Sequence, residues 1–200
     1  MRMWVWIRIS MLVAAILVTA NSALWADDVE DAVKEGLAYY QSGDFSNAAG
    51  SLEYAAQLIR QKKGGEMESL LPQPLAGWTA EESSTQAMGA AMFGGGVTVE
   101  RSYTKGDSRV TVQFLTDSPM LQGMMMMLTN PVIATADGGK LEKIKGQKAL
   151  VKYNTGAKQG EITLVVVNKI LVLVEGRNVS KADLTGYAAA VDYQKMAAQQ

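Results

Sequence analysis

Cysteine and histidine are both missing from this 200-residue chain. Without cysteine there are no disulfides, no thiolate metal sites, no thiol nucleophile and no lipid attachment at a cysteine, so packing alone must supply stability. Without histidine, Ser-His-Asp triads, imidazole general bases and the usual zinc and copper sites are excluded. Carboxylates, Lys, Tyr and Ser are what remain for catalysis. Proline is scarce as well: there are four, and two of them sit together in Pro72-Gln73-Pro74. That tripeptide breaks whatever precedes it and marks a natural boundary.

What is present begins with a leader. Arg2 and Arg8 form a positive n-region, Ile9 to Ala20 an apolar h-region, and Ala23-Leu24-Trp25-Ala26 offers a small residue for cleavage after Ala26 or Ala23. Trp4 to Trp25 nearly reaches bilayer-spanning length, so an uncleaved anchor is the competing reading. Arg8 and the small residues at the end of the span favour cleavage, and the expected product is a soluble exported protein that is not a lipoprotein. Removing Arg2 and Arg8 from the 19 basic residues leaves 17 against 20 acidic ones, a net charge near −3. No basic stripe appears, which leaves nucleic-acid binding without electrostatic support. The expected division is a signal peptide at 1–26, a helical hairpin at 27–72 and an α+β sandwich at 73–200.

Glu30 to Lys63 carries a helical pattern. Val33, Leu37 and Tyr40 fall on one stripe, Ser42-Gly43-Asp44 interrupts it, and Ala48, Leu52, Ala55, Ala56 and Ile59 resume it. Lys62-Lys63-Gly64-Gly65 reads as its end, with basic residues in the last turn and glycines beyond. Gly36, Tyr39, Gly43, Asp44, Phe45, Ala48, Leu52 and Ala55 keep the spacing of a tetratricopeptide repeat, which GLAYYQSGDFSNAAGSLEYA resembles over about one repeat. The resemblance implies two antiparallel helices in close approach. Arg60 stands where such repeats often have proline, no second copy follows, and a superhelical groove needs about three stacked repeats. The hairpin is therefore expected to pack on a neighbouring domain or dock on another protein.

From Leu75 the pattern changes. Gly77-Trp78-Thr79 reads as a short strand, Glu81 to Met92 as a short helix, and Gly94-Gly95-Gly96 as a break. Val97–Thr104 and Arg109–Thr116 alternate around Lys105-Gly106-Asp107-Ser108, a hairpin. A Met-rich helix capped by Asp117 or Ser118 ends at Asn130, before Pro131. Asp137-Gly138-Gly139 is a turn and Lys140–Lys145 a strand. Three β-rich runs follow at Lys148–Tyr153, Glu161–Val167 and Ile170–Glu175, the densest apolar stretch and the expected centre of the sheet. Ser180 with Asp183 predicts a capped final helix packing through Leu184, Tyr187, Ala188 and Val191. The predicted fold class is α+β: an N-terminal helical hairpin, then a mostly antiparallel sheet with helices on one face. In element order and in its early Gly-Trp, the region from Leu75 resembles the PsbP-like fold of exported accessory proteins, a likeness that does not fix function.

Methionine is the unusual component. Met120, Met124 and Met127 stand at i, i+4, i+7, with Met125 and Met126 beside them, and Met88 and Met92 repeat the i, i+4 spacing. Thioethers are soft ligands suited to Cu(I), so Met120, Met124 and Met127 form a candidate copper site. Such a stripe is equally what a helix needs to pack on a sheet. A third reading is an apolar groove for an acyl chain or partner helix between this helix and the sheet, with Met120, Met124, Met127 and Trp78 as ligand-binding candidates and Tyr103 and Phe114 as further walls. No P-loop, nucleophile elbow or paired carboxylates stand out, so a carboxylate-based hydrolase is only an alternative. The reading with most support is an exported, non-catalytic envelope protein, without cofactor, that binds a protein partner or an apolar ligand.

Overall fold

The computed structural model describes residues 24–88, 96–117, 120–130, 132, 135 and 138–198. The expected leader lies outside them but for its last three residues, as do Met92, Gly94, Gly95, Ser118, Pro119, Pro131 and Asp137. Two compact units divide the chain at Ile59/Arg60. The first is a pair of helices, α1 (Leu24–Ser42) and the opening of α2 (Phe45–Glu68). The second is an α+β unit built on an eight-stranded sheet whose pairings are all antiparallel.

The boundary falls inside a helix, not at Pro72–Pro74, because α2 runs through Gly64-Gly65 instead of ending there. Packing explains this. A Cβ on Gly64 would stand 2.5 Å from Thr85 Cγ2, so the glycine admits the helix onto the sheet and is no terminator. Beyond it Met67, Leu70 and Leu71 are buried in the sheet's core. Glu68, Ser83 and Arg101 complete the attachment: Ser83 Oγ donates to Glu68, and Arg101 Nη2 donates to Ser83 Oγ over 3.1 Å.

The sheet runs β1-β3-β4-β8-β7-β6-β5, with β2 also on β3. Its strands are β1 (Thr79–Ala80), β2 (Ser84–Met88), β3 (Gly96–Lys105), β4 (Ser108–Thr116), β5 (Lys140–Ile144), β6 (Gln147–Asn154), β7 (Gln159–Val166) and β8 (Ile170–Arg177). The helix expected over Glu81–Met92 is contradicted at β2, which pairs with β3 from Ser84↔Glu100 to Met88↔Gly96. Ser83, Ser84 and Thr85 are indifferent helix formers, and the open ladder of β3 offers their backbone better partners. Trp78 precedes its strand: Gly77 has φ +80°, and Trp78 N donates to Leu75 O over 2.9 Å in a turn.

One face of the sheet is the main core. Val99 and Tyr103, Val112 and Phe114, Val172 and Val174, Ile162 and Leu164 all point there and are fully buried. Over it lie α4 (Lys181–Ala190), α5 (Tyr193–Ala198) and the end of α2. The capping box at Ser180 and Asp183 forms as the sequence predicts. The expectation of helices on one face holds for these elements. The Met-rich helix, α3 (Met120–Thr129), is the exception, because Leu128 packs on Leu150, whose neighbours Ala149 and Val151 point to the main core.

The β7–β8 turn sits one residue earlier than the sequence suggests. Its central residues are Val167 and Asn168, at φ +47° and +58°, and Lys169 N donates to Val166 O over 3.0 Å. A β-branched residue is out of place in the left-handed region, and half-exposed Val167 has little burial to lose. Val167→Asn is therefore expected to stabilise the fold by about 1 kcal/mol. An unchanged or lower urea midpoint would show that the turn carries no such strain.

Candidate functional site

The helical pair is built on small residues. Ala32, Ala48 and Ala55 are buried at the seam, and a Cβ on Gly36 would come within 2.8 Å of Leu52 Cγ. Asp44 then caps α2, accepting from Asn47 N at 3.2 Å and from Asn47 Nδ2 at 2.7 Å. Across the seam Ser51 Oγ donates to Glu35 over 2.9 Å.

With small residues filling much of the seam, and Leu58 buried beside them, six large side chains are left outside. Val33, Leu37 and Tyr40 line one face of α1 at i, i+4, i+7, and Phe45, Leu52 and Ile59 line α2 at i, i+7, i+14. All six are exposed; Leu37 is 53 % accessible, Tyr40 62 % and Phe45 66 %. The two rows meet on one side of the pair. Leu52 stands against Gly36, and the rings of Tyr40 and Phe45 meet edge-on at 5.8 Å. Four other large hydrophobic side chains are exposed among the described residues: Tyr54 on another side of α2, beside Ala32 and Glu35, and Met126, Val132 and Val167 in the rest of the chain. Scattered apolar side chains need no explanation, whereas a contiguous apolar face marks an interaction site.

The structure does not bring the sequence-nominated site residues together. Trp78, Tyr103 and Phe114 belong to the main core. Trp78 packs edge-on against Tyr187 at 5.3 Å, and Tyr103 OH donates to Pro72 O over 2.6 Å. Burial pushes the Tyr103 phenol up to about 12. Met127 lies across the sheet from them, packed against the Leu128–Leu150 cluster that Leu141 and Val165 also adjoin. Met124 is half-buried and Met126 exposed; the Met120 and Met88 side chains lie outside the description. A groove walled jointly by Met127 and Trp78 is thus corrected by the geometry, since the sheet separates them. Among the described residues, no three carboxylates, histidines or cysteines are placed to hold a metal ion, and no helix is long and apolar enough to cross a membrane.

A polar region that strand patterning alone could not assemble occupies the far end of that outer sheet face. Glu161 stands directly opposite Glu175, and Arg109 directly opposite Arg177. An open depression of about 810 Å³ takes in Lys152, Asn154, Gln159, Glu161, Glu175 and Arg177. Like charges on neighbouring strands repel. Arg109 is relieved by Glu81, with Nη2 2.8 Å from Oε1, and Glu161 accepts from Thr163 Oγ1 over 2.7 Å. Chemically this is a hydrogen-bonding surface of mixed charge. Only strand register makes it visible, because its members lie up to 68 positions apart in sequence.

Comparison with known proteins supplies no relative for either surface: no family model, no curated protein and no solved structure matches the chain.

Proposed function

We propose that this chain is an exported, non-catalytic protein of the cell envelope that acts by binding a protein through the apolar face of its helical pair. The observation that carries the reading is the exposure of Val33, Leu37, Tyr40, Phe45, Leu52 and Ile59 on one side of two helices. Export is supported by the n-region, h-region and small residues of the first twenty-six positions. The resemblance to a tetratricopeptide repeat supports docking, because such units stack on one another through their apolar sides. A protein is favoured over an acyl chain because Met127, one of the residues nominated to line an acyl groove, already packs against the Leu128–Leu150 cluster. The test is to place glutamate at Leu37 and Phe45 together. Association should fail while the sheet stays folded; unchanged association would refute the reading.

A further inference from the structure

We infer that the protein which covers this apolar face is a second copy of the same chain, the two helical pairs closing face to face into a four-helix bundle. The inference rests on the docking reading above and names its partner.

Three features of the face point to a copy of itself. The first is width. The face is two helices across, and another two-helix layer covers both rows along their length. The second is area. Six large side chains, several about half accessible, present several hundred Å² of apolar surface, approaching the roughly 800 Å² per partner of a stable interface.

The third is the arrangement of charge at the rim. The Gly36–Leu52 approach fixes the level of one helix against the other and sets Lys34 level with Glu53. Helical periodicity places both residues beyond the apolar rows, on opposite outer edges of the pair. A two-fold axis along the length of the bundle preserves level and lays α1 of one copy over α2 of the other. Lys34 of each copy then meets Glu53 of its partner, which makes two complementary pairs by symmetry. Glu30, which accepts from Lys34 Nζ over 3.2 Å in the same helix, holds that ammonium at the rim. The same operation lays the Val33–Leu37–Tyr40 row over the partner's Phe45–Leu52–Ile59 row, the mutual packing of a closed isologous contact.

Sedimentation velocity of the processed chain, Asp27–Gln200, across micromolar concentrations is the test. The wild type should sediment as a reversible dimer. Lys34→Glu or Glu53→Lys alone should weaken it roughly tenfold, through two repulsive pairs per dimer. Joining the two substitutions should restore it to within about threefold of wild type, since the pairs re-form with reversed sign. Circular dichroism at each concentration confirms that the helices remain. A wild type that stays monomeric overturns the second copy as partner, and so does a double variant as weak as the singles. A photo-reactive side chain at Leu37 that captures a different protein in cells would overturn the second copy and leave docking standing, so the two readings fall separately.

Discussion

Tyr187→Ala should cost the sheet unit about 4 kcal/mol. Tyr187 is fully buried between Trp78 and Tyr103, whose ring centroid lies 4.5 Å away, and its hydroxyl accepts from Leu75 N over 3.3 Å. Removing the ring leaves a cavity lined by aromatic edges that cannot collapse, and strips a partner from a backbone N–H. Against a total stability of about 5–15 kcal/mol, such a loss lowers the melting temperature by about 15 °C. Tyr187→Phe separates the two contributions: the ring stays, the hydrogen bond goes, and the expected cost is about 1 kcal/mol. In the Asp27–Gln200 chain Trp78 is the one tryptophan, and it touches the altered ring, so fluorescence of that chain reports this unit alone. An alanine variant as stable as the phenylalanine variant would mean that the ring is not a core anchor.

The paired substitution of Leu37 and Phe45 by glutamate should have the opposite profile. Both side chains are more than half exposed in the free chain, so fold stability should change by less than about 1 kcal/mol and the Trp78 transition should not move. Association should fall at least about a hundredfold. Association would have to bury two unpaired carboxylates and would lose two apolar anchors, Leu37 within the face and Phe45 at its turn end. A variant that unfolds would assign the two residues to packing. One that folds and still associates at wild-type strength would leave the face without a role.

Much of the fold was legible in the sequence because local signals agreed with one another. The alternation of Val97–Thr104 and Arg109–Thr116 about Gly106-Asp107, the apolar runs of β6 to β8 and the Ser180–Asp183 capping box appear where the residues put them, but for the β7–β8 turn, which falls one residue early. The failures share a cause. Glu81–Met92 has helical composition, yet Ser84–Met88 is a strand because β3 presents an open edge. Gly64-Gly65 resembles a helix end, yet the helix continues because Thr85 comes close enough to require a glycine. In both places a distant partner decided, and sequence spacing does not display distant partners.

The candidate site divides in the same way. The stripes of Val33 and Leu52 are readable from periodicity, but periodicity alone does not say whether a stripe is buried; both residues are exposed. Trp78 and the methionines were nominated by residue type, and type could not reveal that the sheet lies between Trp78 and Met127. The facing pairs Glu161/Glu175 and Arg109/Arg177 exist only through register.

The central claim, that the apolar face of the helical pair is covered by protein in the envelope, is tested most directly by in-cell photo-crosslinking. A photo-reactive side chain is placed at Leu37, and at Glu175 on the outer sheet face as the comparison site. The account predicts discrete adducts from Leu37 and none from Glu175, with a mass of twice the processed chain if the partner is a second copy. No adduct from Leu37, or the same adducts from both positions, would contradict it.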